Sequence, residues 1–211
     1  MRIDGARNRQ RLIEVAKSTF TELGPQVSLD TIARRAGVGK GTLYRHFPVR
    51  DALVEAVCRS ELQQLAATAA ELLEAHRPGD ALHLWMRAYV GFIATNKVMA
   101  AAVSSICGIS PQHYRSSVAQ ITDNPLLGAT TDFYRSVESL IHEAATLLLT
   151  KAQEAEEVRH DIDVRNLLRA IGGFTVTYGD DVAGWEADAL SLIDIFMDGL
   201  RKSPPPGEAT T

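Results

Sequence analysis

The stretch that decides the fold is "SLDTIARRAGVGKGTLYRHF", which runs from Ser28 to Phe47. A lysine among three glycines first suggests a loop that cradles a nucleotide phosphate. A Walker-type phosphate loop needs Ser or Thr directly after its Lys, and it connects a β-strand to a helix. Here Gly41 follows Lys40, and the segment before the loop has the apolar spacing of a helix. The pattern therefore does not predict a nucleotide-binding loop.

The same residues fit two short helices joined by a tight turn at Gly37. Apolar side chains form one face of the first helix, and Leu43 and Phe47 form the inner face of the second. Gly39 and Gly41 keep the start of the second helix free of bulk. The outer face of that helix carries hydrogen-bond donors on Lys40, Thr42, Tyr44, Arg45 and His46. These features are typical of a helix-turn-helix whose second helix enters the DNA major groove.

Helical periodicity continues on both sides of this motif. The helix before it is expected to end at Gly24-Pro25, and Ser28 is the expected N-cap of the next helix. A long helix is expected from about Arg50 to Ala75, and Asp80 is the expected N-cap of the helix that follows. The sequence shows no strand alternation, internal repeat or heptad array. It therefore predicts an all-α fold.

Charge divides the chain unevenly. Residues 1–50 contain ten Lys or Arg against four Asp or Glu, a net charge of +6, whereas the rest carries −10. A basic N-terminal quarter suits a polyanionic partner, although a solvated charged face is the alternative. The chain has no apolar run long enough to span a bilayer and no signal-type N-terminus. Its only two cysteines, Cys58 and Cys107, form no paired motif, so we expect a cytoplasmic protein.

The segment "VSLDTIARRAGVGKGTLYRHFPVRDALVEAV" (Val27 to Val57) resembles the DNA-binding signature of the TetR/AcrR family of bacterial transcriptional regulators. The resemblance implies an N-terminal three-helix DNA-binding domain over residues 5–60, with its helix-turn-helix at about 28–47. It also implies a larger helical effector-binding and dimerisation domain over 61–202. Residues 203–211 are expected to form a disordered tail. The implied function is that of a dimeric regulator, most often a repressor, which a small effector releases from a palindromic DNA operator.

The resemblance further implies which residues contact DNA. Arg45 stands at a variable position of the family's motif and is the candidate for base reading. Arg50 matches a residue that usually binds a backbone phosphate, and Pro48 stands where the family often has Lys. Tyr44 has packing as its alternative role, and Arg35 has a solvated surface. The complete expected set is Ser28, Arg35, Lys40, Gly41, Thr42, Tyr44, Arg45, His46 and Arg50.

Large, soft side chains are concentrated in the middle and late helices, which suits either an apolar effector pocket or an ordinary core. His142 is the notable polar member, and a hydrogen-bonded core histidine is its alternative role. The residues expected to line the pocket are Trp85, Met86, Tyr89, Phe92, Cys107, Tyr134, His142, Phe174 and Tyr178.

The last two helices, expected at 164–178 and 186–201, are the candidates for the dimer interface. The resemblance implies that such helices pair with their copies in a four-helix bundle. The expected interface residues are Leu167, Ile171, Phe174, Ile193, Phe196, Met197 and Leu200.

The sequence offers no catalytic, cofactor or metal motif, so no enzyme is predicted. The acidic stretch "EAEEVRHDIDV" is a weak metal candidate, because its side chains lie in one run near a helix boundary. The expected partners are therefore double-stranded DNA, a small-molecule effector and a second copy of the chain. Two alternatives stay open, namely a constitutive DNA-binding regulator without an effector and a helical interaction protein that no longer binds DNA.

Overall fold

A computed structural model describes residues 2–23, 27–95, 127–176 and 184–202. Across these residues it contains eight helices and no strand longer than an isolated bridge, so the all-α prediction is confirmed. The chain divides into two compact units, residues 1–61 and 62–211. The helices are α1 (Arg2–Leu23), α2 (Leu29–Arg35), α3 (Lys40–His46), α4 (Arg50–Ala75), α5 (Pro78–Thr95), α6 (Leu127–Glu154), α7 (Val164–Val176) and α8 (Trp185–Leu200).

The first unit is built around one apolar core, to which α1, α2, α3 and the start of α4 all contribute. Leu12 and Ala16 from α1 are completely buried, as expected from their spacing of four residues. Ile32 of α2 and Leu43 of α3 are also inaccessible to solvent. Because each short helix has its apolar side buried here, its opposite side is left for polar residues.

The turn between α2 and α3 has the geometry that its glycine predicts. Gly37 has a φ of 65°, in the left-handed region that residues with a Cβ adopt only with strain. The N–H of Val38 donates to the carbonyl of Ala33 at 3.0 Å, which closes the end of α2. Ser28 caps the other end of α2, where its Oγ accepts the N–H of Thr31 at 3.2 Å. Both local predictions are confirmed.

α3 ends where a proline forbids its continuation. Phe47 is the C-cap, with a φ of −136°, and it precedes Pro48. Its N–H still donates to the carbonyl of Leu43 at 2.8 Å, and its ring is buried. The ring therefore anchors the last turn of α3 in the core.

Cys58 lies on α4, within the first unit. Its side chain is almost completely buried, and this burial raises the pKa of the thiol to about 12, with the nearby Glu61 carboxylate adding to the effect. The thiol is therefore protonated and unreactive at neutral pH.

The second unit is organised around α5, which packs against α6, α7 and α8. Trp85 and Tyr89 of α5 stack with ring centroids 5.6 Å apart, and both are completely buried. The indole N–H of Trp85 donates to the carbonyl of Leu65 at 3.0 Å, which satisfies its one polar group. None of the described helices is both long and apolar enough to cross a membrane.

The start of α5 differs from the sequence prediction. The helix begins at Pro78, so Asp80 lies in its first turn and does not cap it. Proline suits the first helical position because its missing N–H would have no helical partner there. The Gly79 N–H instead donates to Glu157 Oε2 at 2.7 Å. Since a β-carbon at Gly79 would lie 2.8 Å from the same oxygen, glycine is the residue that permits this approach.

The segment between α6 and α7 closes one end of the second unit. Val158 forms an antiparallel bridge with Arg201, and the Arg159 N–H donates to the carbonyl of Leu200 at 2.9 Å. On the other side, the Lys202 N–H donates to the carbonyl of Glu157 at 3.1 Å. Residues following α8 are thereby fixed to residues following α6.

Candidate nucleic-acid interface

The outer surface of α3 presents polar and small residues in a compact array. Lys40, Gly41, Tyr44 and Arg45 are exposed, while Leu43 lies in the core behind them. Because residues three and four apart share a helix face, these four form one continuous patch. Tyr44 is 46% exposed, so its ring is largely outside the core.

Gly39 and Gly41 have no packing role within the chain. A β-carbon built at either position would find no atom within 4 Å. Their small size therefore leaves open space outside the protein, at the beginning of α3. This arrangement suits a surface that must approach another molecule closely.

Lys40 is paired rather than free. Its Nζ forms an ion pair with Oδ2 of Asp30, on the first turn of α2. Both side chains are well exposed, at 68% and 46%. The pair lies at the edge of the patch, where it neutralises one of the cations expected to face DNA.

Arg35 connects α2 to α1. Its Nη1 lies 2.7 Å from Glu22 Oε2 and 3.5 Å from Oγ1 of the buried Thr19. Arg35, which was expected to bind a DNA phosphate, therefore already has partners within the first unit. Arg34, by contrast, is exposed and has no ion-pair partner among the described residues.

Arg50 is also used within the first unit. Its Nη1 donates to the carbonyl of Val27 at 2.6 Å, and its Cζ lies 5.6 Å from the centre of the Phe20 ring. Its Nη2 is buried and has no acceptor among the described residues. Arg50 thus holds the start of α2 near the start of α4, a role that the sequence did not indicate.

Thr42 and His46 lie beside the exposed patch and are half-buried. The Nε2 atom of His46 is buried without a hydrogen-bond partner in the described part of the chain. The ring lies near the first residues of α1, where a β-carbon at Gly5 would be 4.0 Å from Cε1. His46 therefore borders the patch rather than projecting from it.

Two arginines that sequence reasoning did not select flank α3. Arg11 lies beside the turn, where a β-carbon at Gly37 would be 3.5 Å from its Nη2. Arg9 lies at the other end, with its Cζ 5.2 Å from the centre of the Phe47 ring. Neither has an acidic partner among the described residues. The high density of basic residues in α1 was the only sequence signal for these two positions. A local sequence pattern does not show that α1 packs against α3.

The residues expected to line an effector pocket do not share one environment. Trp85, Met86 and Tyr89 are completely buried on α5, and Phe92 is half-buried. His142 is exposed on α6, where its Nδ1 lies 3.4 Å from Thr146 Oγ1, so it belongs neither to the core nor to a buried pocket. Cys107 and Tyr178 lie outside the described residues, and only the helical backbone of Tyr134 is described.

Most residues expected at a dimer interface lie inside the second unit. A completely buried side chain has no surface to offer a partner, and this applies to Leu167, Ile171, Ile193 and Met197, while Leu200 is 4% exposed. Phe174 and Phe196 are half-buried and meet edge to face, with centroids 5.7 Å apart. The outer face of α8 instead carries Ile195, which is 65% exposed.

The acidic stretch after α6 is held by cations and backbone donors. Glu156 pairs with Lys202, which together with His160 lowers the pKa of the Glu156 carboxyl. Glu157 pairs with Arg77 at 2.8 Å, and Asp163 accepts the N–H of Asn166 at 2.7 Å at the start of α7. No group of three or more potential metal ligands occurs among the described residues. The carboxylates of this stretch therefore form ion pairs and hydrogen bonds within the chain.

Two family models together match most of the chain. The model of the tetR family of bacterial regulatory proteins matches residues 12–57, which include α2, α3 and their turn. The model of the C-terminal domain of SbtR-like transcriptional regulators matches residues 77–202, more than half of the chain. The chain belongs to the TetR family. It is a TetR-family helix-turn-helix transcriptional regulator.

Relatives of this TetR-family regulator agree with that assignment. A TetR transcriptional regulator from Streptomyces coelicolor is 32% identical; the match covers 93% of this chain and 99% of that one, with a TM-score of 0.66. A TetR transcription regulatory protein from Mycobacterium vanbaalenii is also 32% identical, with coverages of 95% and 99% and a TM-score of 0.63. An HTH-type transcriptional regulator of Staphylococcus aureus strain USA300 is 43% identical over 63 residues, which is 29% of this chain and 34% of that protein. The chain spans about a third of the length of the curated relatives it matches.

Proposed function

We propose that this TetR-family regulator acts in the cytoplasm as a homodimer that places α3 of each copy in the major groove of a palindromic operator. The observation that carries the proposal is the outer face of α3. It exposes Lys40, Gly41, Tyr44 and Arg45, while Leu43 lies in the core behind them. A donor-rich face beside open space at Gly41 suits close approach to base edges and phosphates.

Arg45 is proposed as the residue that reads a base. Its guanidinium is exposed and has no ion-pair partner among the described residues, so it is available for a bidentate contact with guanine. Arg50 is proposed to act mainly by positioning, because it holds the Val27 carbonyl. Arg9 and Arg11 are proposed as additional backbone contacts at the two ends of α3.

The proposed dimer uses the outer face of α8. Ile195 is the most exposed of the large apolar residues in the described chain, and the neighbouring turn carries the exposed Gly199. Phe196 is half-buried and borders a groove of about 420 Å³, whose lining combines the apolar Ile162 with the charged Arg159 and Asp161. Burial of the Ile195 side chain against a partner would remove apolar surface from water, which is energetically favourable. Two identical faces would form a symmetric contact.

A small apolar or amphipathic effector is proposed to bind the second unit and release the operator. The proposal rests on the aromatic content of α5 and on family membership. The alternative, a constitutive regulator, is favoured by the complete burial of Trp85, Met86 and Tyr89, which pack as ordinary core. Repression with effector release requires the effector to bind the DNA-free form more tightly.

Selection of duplexes from a random pool tests the DNA-binding proposal. The purified protein should enrich a palindrome whose half-sites are about 34 Å apart, or a multiple of that distance. The Arg45→Ala variant should relax base preference at one position of each half-site, with a cost of about 1–3 kcal/mol for the preferred base. Arg165→Ala, which removes an exposed arginine on α7, is the matched control and should retain the preference. Absence of enrichment at moderate salt contradicts the proposal.

Titration of small apolar compounds into the protein–operator complex distinguishes the two regulatory alternatives. A saturable, compound-specific loss of operator binding supports the effector-released repressor. Binding that no compound in a chemically broad set reduces supports the constitutive regulator, provided that the same compounds leave the thermal stability of the protein unchanged.

A further inference from the structure

The ion pair between Lys40 and Asp30 stands at the edge of the proposed DNA-binding patch. Lys40 is the first residue of α3, and Asp30 is the second residue of α2. Both side chains are exposed, so each is accessible to a third charged group. A carboxylate here is unexpected for a surface proposed to meet a polyanion.

Asp30 is held in place by the braced start of α2. Ser28 caps this helix through the Thr31 N–H at 3.2 Å, and Arg50 Nη1 fixes the Val27 carbonyl at 2.6 Å. A carboxylate in the first turn also interacts favourably with the helix dipole. The backbone of Asp30 is therefore fixed beside Lys40, and its carboxylate remains close to this lysine.

We propose that Asp30 competes with DNA for Lys40 and thereby limits both the affinity and the salt dependence of operator binding. The inference rests on the proposed function, since it requires Lys40 to approach DNA. When Lys40 binds a phosphate it must leave Asp30, whose charge then stands close to the duplex. Because the Asp30 carboxylate contacts Lys40 Nζ, a phosphate bound by Lys40 would lie within the screening length of about 8–10 Å at physiological salt, so the two negative charges would repel each other.

The competition changes the number of ions released on binding. A lysine that neutralises a phosphate releases about 0.9 of a counterion from duplex DNA. If that lysine first breaks an ion pair, the freed carboxylate takes up a cation and offsets part of the release. The parent protein should therefore show a shallower salt dependence than a variant in which Lys40 has no internal partner.

The test compares Asp30→Asn with the parent on one operator and one unrelated duplex, by fluorescence anisotropy between about 50 and 200 mM salt. Asp30→Asn should bind both duplexes about two- to tenfold more tightly. Its logarithmic salt slope should be steeper, by at most about 0.9 of an ion per protomer. Glu14→Gln is the matched control, because it removes one exposed negative charge from the same unit and its partner is Gln10.

Four outcomes decide the inference. A gain in Asp30→Asn that exceeds the gain in Glu14→Gln and disappears when Lys40→Ala is added supports it. A gain that persists without Lys40 overturns it, since Asp30 would then act only by general repulsion. A gain no larger than that of Glu14→Gln also overturns it. Weaker binding of Asp30→Asn to the operator but not to the unrelated duplex overturns it as well, because Asp30 would then itself accept a hydrogen bond from a base such as cytosine.

Two measurements separate this inference from the proposed function. If the parent protein shows no salt-dependent binding to any duplex, the proposed function fails. The inference then fails with it, because there is no DNA binding for Asp30 to limit. If the parent binds but Asp30→Asn matches Glu14→Gln, only the inference fails. Thermal unfolding of each variant shows whether the DNA-binding unit is intact, and Asp30→Glu, which keeps the charge, should bind like the parent.

Discussion

Arg45 and Arg50 lie five residues apart in a basic segment, and sequence reasoning assigned both to DNA. The structure gives them different surroundings. Arg45 is exposed without an ion-pair partner among the described residues, whereas Arg50 donates to a backbone carbonyl and covers an aromatic ring. A motif shows which residue types occur, but a hydrogen bond between residues 27 and 50 depends on how the helices pack. The role of each arginine therefore depends on the packing of the folded chain.

Arg50→Ala should destabilise the first unit, while Arg45→Ala should not. Loss of a charged donor leaves the Val27 carbonyl without this partner, which costs about 1–3 kcal/mol in the free energy of unfolding. An exposed arginine away from such contacts costs within about 0.5 kcal/mol. Urea unfolding of both variants measures the difference. Equal losses would show that the Arg50 contact contributes nothing to stability.

Cys58 should make the first unit less stable as pH rises above neutrality. The thiol in the unfolded chain ionises near its ordinary pKa of about 8.5. Burial raises the folded pKa to about 12, so between these values only the unfolded state releases the proton. The free energy of unfolding should therefore fall by up to about 1.4 kcal/mol per pH unit in this window. The Cys58→Ala variant should show a flatter dependence in urea titrations between about pH 8 and 10; parallel curves would contradict the assignment.

At the scale of elements, local signals predicted the helix-turn-helix well. The cap at Ser28, the turn at Gly37 and the stop before Pro48 each depend on residues within a few positions along the chain. The start of α5 was misplaced, because the group that satisfies the Gly79 N–H is the Glu157 carboxylate, 78 residues away. No local pattern can reveal a capping group so distant in sequence.

Gly37→Ala should weaken the turn, whereas Gly39→Ala should not. A Cβ at a φ of 65° costs about 1–2 kcal/mol, because it crowds the following carbonyl oxygen. Gly39 has a φ of −66° and open space around the position of its β-carbon, so alanine fits there without strain. Thermal unfolding should show a lower midpoint for the first variant only. A lower midpoint for both variants would show that something other than φ excludes a β-carbon from this turn.

At the scale of the whole molecule, periodicity identified α8 as an amphipathic helix but not which face meets a partner. Its strongest apolar positions, such as Ile193 and Met197, form the internal core. A dimer face must be apolar and exposed, and burial is a property of the folded chain. Periodicity therefore selected the side of α8 that the fold buries, and not the exposed side that we propose as the interface.

Ile195→Asp should shift the proposed dimer toward monomer. A charge at the centre of a symmetric apolar contact is desolvated twice, once in each copy. Leu23→Asp is the control, since it changes a similarly exposed leucine (54% exposed) in the first unit. Sedimentation velocity measures the state of association, and operator binding should weaken in parallel for Ile195→Asp alone. A parent that sediments as a monomer at every concentration would rule out this dimer.

Glu157 has a further consequence for the architecture of the second unit. Its side chain accepts the Gly79 N–H at the start of α5, and its carbonyl accepts the Lys202 N–H after α8. Arg201 also reaches Asp80, with Nη2 2.8 Å from Oδ1. The two ends of the stretch from 77 to 202 are thus neighbours in space, although they are far apart along the chain. A short cross-link between residues 77 and 202 would therefore close this stretch into a ring with little change in the fold, and it should protect both ends of the stretch from fraying.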